Sequence, residues 1–265
     1  MLTIFEAIIL GIIQGIAEWL PISSQGMTTL VMLNVFDKSL ADALPIAIWL
    51  HTGTLLSAVV YFREDIREII SQIPPYLKSR DIKEKKGSLI TFLLITTIIT
   101  GIVGLPLILL ATGMGDFSGK FATALIGVLL IITGLLQISA SKRTKKREKP
   151  MISDSVIAGI AQGFAALPGI SRSGITVSTL LLRDIEASQA LRLSFLMSIP
   201  AVLAADLGMG AMGLLKFDLA SLMALFFAFI FGILTIDLFI KAAKRFDFSK
   251  FCIALGILSI LAYFI

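Results

Sequence analysis

Long apolar runs separated by short polar turns dominate the sequence. A helix needs about 20 apolar residues to cross bilayer hydrocarbon. Six runs qualify or nearly do, at residues 43–62, 88–112, 119–140, 190–208, 219–240 and 250–265, the last being short. Two more apolar stretches, 1–36 and 151–183, are broken near their middles by PISSQG (Pro21 to Gly26) and PGISRSG (Pro168 to Gly174). Broken backbone at membrane depth leaves N–H and C=O groups without helical partners, which is tolerated only inside protein or beside a polar cavity. Both stretches therefore predict helix–loop–helix re-entrant pairs. The first has neither the basic start nor the small-residue cleavage site of a signal peptide and is expected to belong to the fold.

The two broken stretches also resemble each other. GIIQGIAEWLPISSQG (11–26) and GIAQGFAALPGISRSG (159–174) share residues at an offset of 148, among them Gln14 with Gln162, Ser23 with Ser171 and Gly26 with Gly174. The expected architecture is an all-α integral membrane fold of six full transmembrane helices and two re-entrant pairs. Residues 1–140 form one repeat, 141–150 a basic linker and 151–265 a second repeat. Three spans per repeat is an odd number, so the second copy starts on the opposite face of the membrane. Inverted repeats of this kind place binding sites near the midplane, where the broken helices meet. The alternative is chance similarity between helices rich in small residues.

Composition supports the membrane reading. Of 265 residues, 57% are hydrophobic and 15% charged, against roughly 45–50% and 25% in soluble domains. A mean hydropathy of +0.95 excludes intrinsic disorder. The lone Cys252 rules out an intrachain disulfide, and the lone His51 leaves no zinc or haem cluster. The net charge of +5 and the pI of about 9.4 suggest an acidic partner until the charges are located. Seventeen of the 23 cations fall in residues 63–86, 141–150 and 241–250. By the positive-inside rule these three segments are cytoplasmic and both termini lie outside. The basic pI thus reports orientation in a multi-pass cell-membrane protein, and no nucleic acid is expected to bind. Residues 63–78 would either lie in the interface, with Ile66, Ile69, Ile70 and Ile73 facing the lipid, or form a solvated loop.

Charge inside the apolar framework marks candidate chemistry, because an ion at the bilayer centre costs roughly 2.5–3.5 kcal/mol even on lenient scales. Glu18 and Arg172 are the ionisable residues nearest the two breaks. Gln14 and Glu18, four apart, share a helix face, with Ser23 and Ser24 following. Ser171, Arg172 and Ser173 sit where a short helix should start, offering free N–H groups, a positive dipole end and a guanidinium fork. Gly26 and Gly174 would let backbone approach a ligand. Together they describe an anion site, most simply for phosphate. The structural alternative is a Glu18–Arg172 ion pair joining the two halves, with the serines capping helices. His51 is ordinarily a packing residue, but its mid-span position makes it a candidate acid or base. Glu6, Asp42, Asp206 and Asp237 lie near span ends and read as structural. The G-x-G-x-x-G match at 208–213 has no strand before it, so no dinucleotide site follows.

At these residues the sequence resembles the undecaprenyl-pyrophosphate phosphatase family, the membrane enzymes of bacitracin resistance. That family is marked by (E/Q)-x-x-x-E followed by P-x-S-S, here Gln14, Glu18, Pro21, Ser23 and Ser24. Its second motif is P-G-x-S-R-S-x-x-T, here Pro168, Gly169, Ser171, Arg172, Ser173 and Thr176. The resemblance spans the whole chain and implies release of the terminal phosphate from a polyprenyl pyrophosphate lipid, with a divalent cation. Mg²⁺ suits a site in which Glu18, pyrophosphate oxygens and water are the ligands. In these roles Glu18 activates Ser24 or a water, and Arg172 holds the phosphoryl charge. Gln14, Ser23, Gly26, Ser171, Ser173, Gly174 and Thr176 contact the phosphate or cap helices. The sequence departs from the family at Met27, where a histidine is usual, and a thioether can neither relay protons nor bind a hard cation. Either Glu18 or His51 takes over that work, or turnover is slow, or the protein carries the lipid across the membrane as a transporter or flippase. A lipid-binding scaffold is a third reading. A homodimer is compatible with all of them.

Overall fold

The computed structural model describes residues 2–79, 88–113, 119–141, 147–213, 218–245 and 247–264. Residues 80–86 and 142–146, within two of the basic segments used above to argue topology, lie outside these residues. The first half contains α1 (Ile4–Ala17), α2 (Ser24–Asn34), α3 (Leu40–Tyr61), α4 (Arg63–Lys78), α5 (Leu89–Gly113) and α6 (Gly119–Ser141). The second contains α7 (Ile152–Phe164), α8 (Arg172–Leu182), α9 (Ala187–Ala211), α10 (Leu219–Arg245) and α11 (Ser249–Leu261). Among the described residues there is no strand, only an isolated bridge between Arg147 and Ile185.

Among the described residues five helices, α3, α5, α6, α9 and α10, are long and apolar enough to cross a membrane, so the chain is a multi-pass membrane protein. The apolar run at 250–265 folds as the 13-residue α11 and a short 3₁₀ turn. At 1.5 Å per residue such a helix is about 20 Å long, short of a 30 Å hydrocarbon core. Both broken stretches fold as helix pairs, with the second helix beginning inside the Pro/Ser/Gly motif in each case.

Local chemistry explains the ends. Thr3 and Glu6 form a capping box at α1, Ser39 caps α3 through the Asp42 N–H, and Glu186 accepts the first N–H groups of α9. Residues 63–78 form an amphipathic helix instead of a loop. Its Ile66 and Ile69 pack on the Trp19, Phe62 and Phe195 cluster, while Ile70 and Ile73 face outward.

The first helix of each half packs on the other half. Gly11 and Gly15 bring α1 against α10, where an added Cβ would lie 2.5 Å from the Ala224 carbonyl oxygen or 2.7 Å from the Gly232 nitrogen. Gly159 and Gly163 bring α7 against α5, with an added Cβ 2.8 Å from Ile99 or 2.6 Å from Val103. The repeated glycines therefore serve helix contact, which is how small residues act where lipid supplies no hydrophobic drive between helices.

Each broken pair is also clamped at its open end. Glu6 in α1 pairs with Lys38, just past α2, at 3.1 Å. Asp154 in α7 accepts from Arg183 Nε, just past α8, at 2.8 Å and from Arg147 Nη1 at 2.9 Å. Asp154 is fully buried, and burial alone would raise its pKa. The Arg147, Met151 N–H and Arg183 hydrogen bonds outweigh that and hold it below its ordinary value of 3.8. Stability from this group is thus complete above the ordinary value and is lost as pH falls through the lowered one. Asp154→Asn should destabilise the protein by about 2 kcal/mol, the scale of charged hydrogen bonds. Thermal melts should show that gap at neutral pH and its disappearance in acid.

Candidate active site

The two breaks meet at Glu18. It is the residue after α1, is 6% exposed, and is reached by four side chains. Gln14 Nε2 (2.9 Å), Ser24 Oγ (2.6 Å) and His51 Nε2 (3.3 Å) converge on Oε2, and Arg172 Nη2 binds Oε1. Arg172 Nη1 also donates to the Ser194 carbonyl at 3.4 Å, and its guanidinium lies 5.5 Å from the Phe195 ring centre. The structural alternative for Glu18 and Arg172, an ion pair joining the halves, is thus present.

The serines divide into two kinds. Ser23 adopts a left-handed φ of 64°, uncommon for a residue with a side chain. Its Oγ accepts the Gly26 N–H and reaches across to the Gly169 N–H of the second break at 3.1 Å. Ser171 caps α8 by accepting the Gly174 N–H at 3.1 Å. Both are caps at matching positions. Ser24 and Ser173, one and two residues on, are not: Ser24 donates to Glu18, and Ser173 donates to the Leu20 carbonyl at 3.3 Å. The N-terminal ends of α2 and α8 meet here, adding partial positive charge from both.

A chamber of about 20 Å³ lies among Glu18, Ser23, Ser24, His51, Ser171, Arg172 and Ser173. That is room for one water. Beyond His51 and Arg172 opens a mainly apolar cavity of about 300 Å³, walled by the small residues Gly101, Gly104 and Ala205. A third cavity, of about 520 Å³, reaches Ser173 from the helix ends near Ser141, Glu186 and Asp247. Gln14, Gly26, Gly174 and Thr176, expected at the phosphate, do not border the chamber. Gln14 touches Glu18 instead, donating to its Oε2. An added Cβ on Gly26 would meet the Gly169 nitrogen at 2.9 Å, and one on Gly174 would meet Gln137 at 3.0 Å. Thr176 pairs with Ser194 and with the Arg172 carbonyl, both at 2.7 Å.

Met27 packs with Ala17, Ile22 and Cys252 in an apolar cluster. The imidazole comes instead from α3, where His51 Nδ1 lies 2.7 Å from the Ala47 carbonyl oxygen. Asp206, expected near a span end, sits within α9. It accepts from Thr52 at 2.7 Å, and its second oxygen is buried without a partner. Sequence reasoning missed Thr54, Ser194 and Phe195, which carry no local signature. Gln162 was visible as the repeat of Gln14, and like Gln14 it keeps a buried, unpartnered amide oxygen.

These residues do not make a resident cation site. Both Glu18 oxygens are filled by donors, two of them on side chains that carry or can carry positive charge. Among the described residues no three His, Cys, Asp or Glu gather. Gln14 Oε1 is a single neutral oxygen, whereas Mg²⁺ takes carboxylates, phosphate and water in octahedral array.

A family model described as bacitracin resistance protein BacA matches residues 7–261. The chain is 58% identical to an undecaprenyl-diphosphatase of Methanococcoides burtonii over 265 residues, covering 100% of both. It is 37% identical to one from Methanothrix thermoacetophila, covering 96% of this chain and 95% of that one. It is 39% identical to one from Haloarcula marismortui, covering 96% and 94%. With the family's two motifs meeting in one chamber and the match running through nearly every helix, the chain belongs to the BacA family.

Proposed function

We propose that this protein hydrolyses undecaprenyl or a related polyprenyl pyrophosphate to the monophosphate carrier lipid and phosphate, recycling the carrier for cell-envelope glycans. The observation that carries the reading is Ser24 Oγ, 2.6 Å from Glu18 Oε2, beside a guanidinium and at the end of an apolar cavity. Pyrophosphate displaces Glu18 from Arg172, so the fork that held a carboxylate holds phosphoryl oxygens. Freed of that ion pair, Glu18 takes the Ser24 proton as Oγ attacks the terminal phosphorus. Arg172 and the N-termini of α2 and α8 stabilise the spread charge, and Ser173 stands beside them as a further donor. The isoprenoid chain extends into the cavity walled by Gly101, Gly104 and Ala205. A divalent cation, on this reading, enters bound to the pyrophosphate as part of the substrate.

The same reading counts α11 as a shortened sixth span and α1–α2 and α7–α8 as re-entrant pairs in inverted repeats. Matching element order, the reciprocal packing of α1 on α10 and α7 on α5, and the paired clamps at Lys38 and Arg183 support it. Cytoplasmic basic segments and external termini follow from the cation distribution.

Purified protein in detergent should release phosphate from the lipid pyrophosphate. Ser24→Ala should lose at least about 100-fold in rate, as expected for loss of a positioned proton-transfer or nucleophilic group. An unchanged rate would reassign the attack to water. A wild-type rate no higher than that of Glu18→Gln would overturn hydrolysis in favour of lipid transport.

A further inference from the structure

His51 is the one imidazole in the sequence, and its two nitrogens meet two acceptors. Nδ1 lies 2.7 Å from the Ala47 carbonyl oxygen, which can only accept, so it carries a proton. Nε2 lies 3.3 Å from Glu18 Oε2. A proton carried on Nε2 would lie between imidazole and carboxylate, on the same oxygen to which Ser24 Oγ donates from 2.6 Å. The charged groups facing His51 are Glu18 from the first break, Arg172 from α8 and Asp206 of α9, reached through Thr52. The ring also borders both the chamber and the apolar cavity. It thus stands between the carboxylate that collects the nucleophile's proton and the space where the lipid must leave.

We infer that His51 is the general acid of the reaction, delivering the shared proton to the departing polyprenyl monophosphate while Glu18 receives its replacement from Ser24. The inference rests on the phosphatase reading and deepens it. In the first step the Ser24 Oγ–P bond forms and the bond from phosphorus to the bridging oxygen breaks. The Ser24 proton moves to Glu18 Oε2, and the Nε2 proton moves to the leaving oxygen. The Glu18–His51 pair again holds one proton. In the second step a water attacks the phosphoserine and the P–Oγ bond breaks. One water proton passes through the pair to Ser24 Oγ, so the pair ends as it began and one water has been consumed.

The test compares His51→Gln and His51→Ala with wild type, using a polyprenyl pyrophosphate in detergent micelles. Glutamine can still donate to Glu18 but cannot pass a proton on. His51→Gln should lower kcat about 100-fold, the scale of general acid–base catalysis, with KM changed far less. It should also flatten the limb of the pH–rate profile that reports the acid. His51→Ala opens space beside the cavity, and added imidazole should restore its rate at least tenfold while leaving wild type and Ser24→Ala unaffected. A His51→Gln protein with wild-type kcat and pH profile would overturn the assignment, as would a folded His51→Ala protein that imidazole does not rescue. A wild-type protein that releases no phosphate would instead overturn the phosphatase reading itself.

Discussion

Arg172→Ala should lower phosphate release by at least about 10³-fold, the scale on which charge-stabilising groups act in phosphoryl transfer. Its guanidinium is oriented by Glu18, the Ser194 carbonyl and the Phe195 ring, so the fork is held in place before phosphate arrives. Truncation also leaves Glu18 buried without the guanidinium paired with it, and breaking a buried pair on one side costs about 3–5 kcal/mol. Lost activity alone would therefore be ambiguous. The double variant Glu18→Gln with Arg172→Gln removes both charges and should regain much of the stability without regaining activity. Arg172→Lys keeps the charge but loses the planar fork, and should fall between wild type and Ala. Phosphate release and thermal melts on all four proteins separate the two effects. A folded Arg172→Ala protein at the wild-type rate would remove the arginine from the chemistry.

Gly15→Leu should leave little folded protein. An added Cβ would stand 2.7 Å from the Gly232 nitrogen and 2.8 Å from both the Ala228 carbonyl oxygen and Phe231 Cβ. Two of these three neighbours are backbone atoms of α10, so they cannot rotate away and the helices must separate. Overpacking usually costs about 1–3 kcal/mol; Gly15→Ala belongs at the upper end of that range and leucine beyond it. Separation would also displace Glu18, three residues further on, so activity should fall with melting temperature. Gly119→Ala is the matched control, because nothing lies within 4 Å of its added Cβ and alanine favours helix. Equal melting temperatures for Gly15→Ala and the control would refute the close-contact account of α1 and α10.

Much of this fold is legible along the chain. Bilayer thickness sets the length of apolar runs, and the predicted spans at 43–62, 88–112 and 119–140 fall within a few residues of α3, α5 and α6. Proline and glycine mark the breaks, because they remove a donor or unlock the backbone irrespective of what surrounds them. Glu18 and Arg172 were found by their rarity, since a charge in hydrocarbon needs a compensating partner. The run at 250–265 shows the limit: hydropathy counts residues, but the geometry of the last turns decides how far α11 reaches.

The identity and order of the helices, the place of the two breaks and the charges within them come from the sequence itself, because hydrophobicity and backbone preference are local properties that add along a chain. Other properties depend on distances between helices, which no local rule contains. Ser23 and Ser24 are adjacent and chemically identical, yet one caps a helix and bridges to Gly169 while the other points at Glu18. His51 lies 33 positions from Glu18 in sequence and 3.3 Å away in space, and Met27, three residues past the motif's Ser24, packs in the cluster that holds Cys252. Close packing of α1, α3, α8 and α9 decides these matters, since a rotation of one helix by a single residue would point each of these side chains elsewhere.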